Sequence, residues 1–209
     1  MEELFDIYDE EMQLQGTASR SDTHTYGYWH QTIHCWLWRE EQGRRFIWFQ
    51  RRHHGKDLYP DYLDITAAGH LSAGETVRDA AREIEEEIGI AAPFNTLVKV
   101  GVQRESLISA IDGVPFIDRE LAHVFSLKCP LPLSALRPHP EEVAGVFEAE
   151  LERLLQLFEG KLGSLIGHGV EFGQGGQFHA ASRVIEAAHF VPRDVSYYVR
   201  ILRAIQQLS

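Results

Sequence analysis

Glu83, Glu86 and Glu87 stand at i, i+3 and i+4, a spacing that brings side chains together along one side of an α-helix. Like charges placed this way destabilise a helix unless something neutralises them. Arg78 and Arg82 are the nearby cations, and Arg82 lies four residues before Glu86, within pairing reach. A hard divalent ion neutralises such a group well. Mg²⁺ takes oxygen ligands and commonly joins one or two carboxylates to the phosphates of a substrate. The chemistry open to these residues is therefore metal-assisted reaction at phosphorus. The alternative is a solvated acidic helix face, and helical spacing alone does not choose between the two.

The elements around the glutamates favour a built site. Val77, Ala80, Ala81, Ile84 and Ile88 form an apolar stripe at 100° per residue, and Asp79 joins the glutamates on the neighbouring face. Thr76 caps the start with Asp79 as reciprocal partner, and Gly89 stops the helix, predicted over 76–88. Upstream, Leu4–Tyr8, Gln13–Ala18, Thr32–Trp38, Phe46–Gln50 and Leu63–Ala67 read as strands, with a hairpin turn within Glu40–Gly43. Downstream, Leu97–Val102 and Glu120–Leu127 are strands, the second following a loop that holds Asp112 and Asp118. Ala149–Phe158 and Val195–Leu208 read as helices, the latter capped by Asp194, and the glycine-rich Gly163–Gly176 reads as a loop. Strands, one central helix, more strands and then helices suit an α+β domain with helices on a mixed sheet. One domain over 1–209 is expected, with a strand extension at 1–30 and a helical part at 149–209.

Gly69, Glu75 and the run Arg82-Glu83-Ile84-Glu85-Glu86-Glu87-Ile88-Gly89-Ile90 resemble the Nudix box, G-x5-E-x7-R-E-U-x-E-E-x-G-U with U aliphatic. Every defined position matches, and one spacing departs: six residues rather than seven separate Glu75 from Arg82. The box occupies 69–90. The resemblance implies a Nudix fold, a mixed β-sheet sandwiched between helices, here with extra N-terminal strands and C-terminal helices. It implies that Glu83, Glu86 and Glu87 hold Mg²⁺ or Mn²⁺, that Arg82 orients them, and that the activity is hydrolysis of a diphosphate linkage. That reaction needs phosphoryl oxygens neutralised and a water deprotonated. Glu83 or Glu86 is the candidate to take the proton.

The segment from His24 to Glu120 also resembles isopentenyl-diphosphate isomerases, through YGYWHQTIHCWLW, FQRRHHGKDLYPDYLDITAAGH and DRELAHVF. His30 and His70 fall where isomerases place metal-binding histidines, and His24 is one residue off a third such position. Asp118 and Glu120 match an acidic pair before a core strand. The departure is Ala68, because isomerases carry a catalytic cysteine directly before the Gly69-His70 pair and alanine has no proton to exchange. Glu120 is the expected distal metal ligand, with Asp118 as alternative. Arg51, Arg52, Gly69 and His70 are the expected substrate-binding residues, with Lys56 a further phosphate partner. A non-catalytic, ligand-binding Nudix domain is the remaining reading.

The formal net charge of −11 excludes a sequence-independent nucleic-acid binder, which needs basic surface, but not a small phosphorylated substrate met through a metal ion. No apolar run is long enough to cross a membrane, the start is acidic, and the two cysteines, Cys35 and Cys129, form no CxxC pair. A cytoplasmic protein with free thiols is expected. The N-terminal strands and C-terminal helices are compatible with a homodimer. Trp36, Trp38, Trp48 and Phe49 either line a pocket or fill the core.

Overall fold

The computed structural model of the chain describes residues 2–111, 113–173 and 177–208. Its elements in chain order are β1 (Leu4–Tyr8), β2 (Leu14–Ser19), α1 (Arg20–Tyr26), β3 (Trp29–Glu41), β4 (Arg44–Arg52), β5 (Leu63–Asp64), β6 (Ala67–His70), α2 (Ala80–Ile88), β7 (Val98–Ile111), β8 (Val114–Lys128), β9 (Val143–Glu150), α3 (Leu151–Phe158), β10 (Leu165–Phe172), β11 (Phe178–Ile185) and α4 (Val195–Gln206). All strands join one mixed sheet in which β3 is the hub. It pairs antiparallel with β4, β6 and β1, and parallel with β8 from Trp29 opposite Arg119 to Trp38 opposite Lys128. β7 and β8 form a long antiparallel hairpin.

The period of two along β3 divides the core. Ile33, Cys35 and Leu37 point to one side, where with Trp48 they cover Ala80, Ile84 and Ile88 of α2. Trp36 and Trp38 point to the other side and join Ile47, Phe49, Phe158 and Ile201 under α3 and α4. The sheet is thus sandwiched between helices, as the α+β assignment requires. Trp36, Trp38, Trp48 and Phe49 are all fully buried core residues.

The central helix keeps its predicted signals. Thr76 accepts from Arg78 N and donates its own N–H to Asp79, closing a capping box over a 3₁₀ turn at Val77–Asp79 that leads into α2. α2 ends at Gly89, at φ +71°. Asp194 caps α4 by accepting from Ser196 N.

Four expectations are corrected. Residues 1–30 hold a helix, α1, between Ser19, whose hydroxyl accepts from Asp22 N, and Gly27. Asp118 lies within β8, which starts at Val114, so it is a strand residue and not part of a loop; Asp112 lies outside the described residues. The stretch predicted as loop at Gly163–Gly176 carries β10, and residues 174–176 lie outside the described ones. The part from 149 onward is therefore not helical throughout, because the β10–β11 hairpin separates α3 from α4. Gly169 in β10 was not a loop signal: a Cβ there would collide with the Val146 carbonyl of β9. The glycine permits close strand packing.

Candidate functional site

β6 is four residues long and borders two groups of ionisable side chains. On one side stands α2. Ala68 N and Gln50 Nε2 donate to Glu87 Oε2 at 3.0 and 3.1 Å, and Gly69 lies directly against the Glu83 carboxylate. Glu83 and Glu87 are only 9% and 7% exposed, four residues apart on the helix face that meets the sheet. Burial pushes the Glu83 carboxyl up to about 7 despite Arg82, and pushes Glu87 up to about 8 despite the bond from Ala68 N. Glu86 does not meet them. It is exposed and takes Arg82 NH1 at 2.6 Å, because its position on the helix lies towards Arg82 and away from Glu87.

Arg82 is the organiser of this group. It donates to Glu75 through Nε and NH2 at 3.1 and 3.0 Å, and its NH2 lies 2.6 Å from Glu83 Oε1. Glu75 also accepts from Ser72 N at 2.8 Å, which ties Arg82 to the loop before the helix. Glu75 therefore reaches Arg82 even though one residue fewer separates them than in the Nudix box pattern. Gly69→Ala is expected to push the Glu83 carboxylate aside and to lower turnover roughly a hundredfold, the usual consequence of an ångström-scale misplacement. Turnover and Tm measured together check this, and unchanged turnover in a folded variant contradicts it.

On the other side of β6 is a cluster of histidines and acids. His24, on α1, and His30, at the start of β3, each place one ring nitrogen near Asp118 Oδ1, at 3.5 and 3.6 Å. His70, which ends β6, lies 3.6 Å from Glu120 Oε1, and His30 lies 4.0 Å from the same atom. The potential ligand atoms of the three histidines lie within 4.8 Å of one another, as do those of His30, Asp118 and Glu120. β8 supplies both acids on one face, and its parallel register sets Glu120 opposite His30. Phe5 of β1 stacks on His30 and His70, with ring centroids 5.3 and 4.8 Å away, and Phe116 stacks on His24.

These residues fit a metal ion. His30 Nε2, His70 Nε2 and Asp118 Oδ1 are buried without a hydrogen-bond partner. Nδ1 of His24 and of His30 faces a backbone carbonyl, Arg20 O at 2.7 Å and Tyr28 O at 3.1 Å. Each of these nitrogens therefore carries the proton and leaves Nε2 as a lone pair towards the cluster. At His70, Arg20 NH1 lies 3.3 Å from Nδ1, a contact that must yield for Nε2 to act as a ligand. Burial holds His30 down to about 4 and His70 well below the ordinary imidazole range, so both are neutral at neutral pH. Burial and the neighbouring Asp118 hold Glu120 well above the carboxylate range, a position that a cation would relieve. Three imidazoles with two carboxylates suit Mn²⁺, Fe²⁺, Co²⁺ or Zn²⁺, whereas the all-carboxylate group on α2 suits Mg²⁺ or Mn²⁺.

Arg51 and Arg52 both hold acids already. Arg51 pairs with Asp61 and Glu171 at 2.7 Å each, and Arg52 pairs with Asp64 at 3.0 Å and donates to Leu58 O. Lys56 pairs with Glu142 at the surface, and its charge reaches Glu87 and His70. Sequence reasoning missed a buried ion network behind the histidines: Arg193, just before α4, meets Asp64 Oδ1 at 2.5 Å and Glu105 Oε2 at 3.3 Å. Its partners are distant in sequence, so no local pattern announces it.

A hub strand with helices on both faces, and a loop–helix unit that presents buried glutamates beside a glycine, define the class. The chain belongs to the Nudix family, whose NUDIX domain model matches residues 29–164. An uncharacterised Nudix hydrolase of Clostridium acetobutylicum is 34% identical over 204 residues, covering 98% of this chain and 97% of that protein. An isopentenyl-diphosphate Delta-isomerase of Corynebacterium diphtheriae is 31% identical over 156 residues, covering 73% of this chain and 81% of the isomerase. A crystal structure from Deinococcus radiodurans shares the fold at a TM-score of 0.52 and 21% identity, covering 76% of this chain and 90% of that one. Phe5, His24 and Arg193 fall outside the matched residues. Among the described residues, no helix is long and apolar enough to cross a membrane.

Proposed function

We propose that the chain is a divalent-metal-dependent hydrolase that cleaves a diphosphate linkage in a small phosphorylated or nucleotide-like metabolite. The observation that carries this is the pair of buried carboxylates, Glu83 and Glu87, against β6, with Arg82 holding Glu75, Glu83 and Glu86. Glu83 and Glu87, with Glu86 swung inward from Arg82, would hold Mg²⁺ or Mn²⁺, while His24, His30, His70, Asp118 and Glu120 would hold a second, softer ion. Bound there, divalent ions neutralise phosphoryl oxygens and make a water easier to deprotonate. The protein's own residues do the rest. Glu83, lying against Gly69 and held by Arg82, would be the group that takes the water's proton. Arg82 fixes its orientation, and Lys56 is the cation able to turn from Glu142 to a substrate phosphate.

The histidine cluster and the isomerase relative favour a second reading, double-bond isomerisation of a prenyl diphosphate. Ala68 opposes it, since a methyl group exchanges no proton. A single assay series separates the two. Chelated protein is tested with Mg²⁺ and with Mn²⁺ on nucleoside di- and triphosphates, nucleotide sugars, dinucleotides and prenyl diphosphates, following the appearance of phosphomonoester, pyrophosphate or phosphate. Isopentenyl diphosphate is incubated in parallel in deuterated water. The expected result is metal-dependent cleavage of at least one substrate and no deuterium incorporation. Full hydrolysis after rigorous metal removal overturns the metal-dependent reading, and steady deuterium incorporation replaces hydrolysis with isomerisation.

A further inference from the structure

Glu105 poses a question about the histidine cluster. On the β7–β8 ladder it stands directly opposite Glu120. Side chains so paired begin about 5 Å apart at Cβ and lie on the same face of the sheet. A third carboxylate is therefore within reach of the ion that Asp118 and Glu120 would share. Like charges directly across a ladder also destabilise it. Glu105 nevertheless has a cation of its own. Its Oε2 lies 3.3 Å from Arg193 Nε, an ion pair without hydrogen-bond geometry, so that this nitrogen remains without a hydrogen-bond partner. Arg193 is itself fixed from the other side, by Asp64 at 2.5 Å, and its side chain is 12% exposed. Asp64 keeps a second partner in Arg52.

We infer that Arg193 is a positioning residue that withholds Glu105 from the histidine cluster, so that the ion there takes its carboxylates from Asp118 and Glu120 alone. This rests on reading His24, His30, His70, Asp118 and Glu120 as a metal centre. The charges are consistent with it. Arg193 and Arg52 balance Asp64 and Glu105 as one neutral group. The two carboxylates of Asp118 and Glu120 then balance one divalent ion. A freed Glu105 would add an oxygen ligand and a negative charge, shifting the centre towards harder ions and higher coordination number. The control comes from the segment before α4, beyond the residues that the family domain spans.

The test is Co²⁺ titration of the full chain, with excess Mg²⁺ to occupy the α2 glutamates, read by visible absorption and by bound cobalt. Four proteins are compared: wild type, Arg193→Met, Glu105→Gln and the double variant. Arg193→Met leaves Asp64 paired to Arg52, and its Tm verifies folding. The expected result is a changed Co²⁺ spectrum and about tenfold tighter binding in Arg193→Met, the size of an outer-partner effect but of opposite sign, because a ligand is gained. The double variant returns both to wild type, and Glu105→Gln alone resembles wild type. Tighter binding with an unchanged spectrum means that Arg193 acts only through its charge, which overturns the proposal. So does a Glu105→Gln spectrum unlike wild type, which makes Glu105 a ligand already and remains decisive even if Arg193→Met does not fold. Absence of Co²⁺ binding by the wild type defeats the metal centre itself, and the proposal with it.

Discussion

Glu87→Gln is expected to lower hydrolysis by roughly 10²–10⁴-fold, the range typical of losing a positioned acid–base or charged group, while making the metal-free protein more stable above pH 8. The two effects have one cause. Glu87 is buried to 7% exposure, accepts from Ala68 N and Gln50 Nε2, and has no cation in hydrogen-bond contact. Burial raises its carboxyl from 4.5 to about 8. Between those values the folded chain keeps a proton that the unfolded chain has released, so the fold weakens as pH rises through that window. Gln keeps the shape and the acceptor for Ala68 N but removes the titration. Above pH 8 the metal-free variant should therefore exceed metal-free wild type by on the order of a few kcal/mol, and near pH 4.5 the difference should vanish. Denaturant melts of both proteins at the two pH values, beside kcat on a substrate found by the screen, measure this. A variant that is inactive and also less stable at high pH would show that Glu87 acts in the fold and not as a metal ligand.

Saturating the histidine cluster with Mn²⁺, Co²⁺ or Zn²⁺ should raise Tm by about 5–10 °C over chelated protein. An ion at a hundred times its dissociation constant stabilises by about 2.7 kcal/mol. Each kcal/mol moves Tm by about 2–4 °C in a chain of this size. The gain is expected because without an ion the cluster leaves His30 Nε2, His70 Nε2 and Asp118 Oδ1 buried and unpartnered, and sets Asp118 beside Glu120. The same ion would clamp β1 and α1, since α1 carries His24 and β1 packs Phe5 on the other two rings. Chelation should therefore also speed proteolysis within residues 4–26. His30→Ala is the control, and it should lose the metal-dependent rise. Equal Tm with and without metal in the wild type would remove the centre.

The helix was legible because its information is local. Ile84 and Ile88 on one face, Glu83 and Glu87 beside them, and caps at Thr76 and Gly89 all fall within fifteen residues of one another. Gly69 was legible only as part of a motif; its contact with Glu83 depends on how β6 crosses the helix. The histidines were found through the resemblance to isomerases, and their meeting with Asp118 and Glu120 comes from the parallel register of β3 with β8, which no short-range pattern encodes. α1 escaped notice because RSDTHTY has no apolar stripe, although Ser19 and Gly27 mark both of its ends. β10 was missed because its glycines read as turns when they serve close strand packing. Arg193 could not have been singled out: Asp64, with which it shares a hydrogen bond, lies 129 residues away.

The pairing of β3 with β8 also bears on the order of assembly. Thr32 and Glu120, which touch across it, are separated by 88 residues, and parallel strands so far apart in sequence pair late and slowly. During synthesis, at about 5–20 residues per second, His24, His30 and His70 leave the ribosome seconds before Asp118 and Glu120. A partly made chain therefore offers three imidazoles and no carboxylate. Affinity for such nitrogen-rich donors rises steeply from Mn²⁺ to Cu²⁺ along the divalent series. At the proposed metal centre, the nascent chain would thus be most exposed to the wrong ion before its acids arrive, and the late docking of β8 would be the step at which the centre gains its preference.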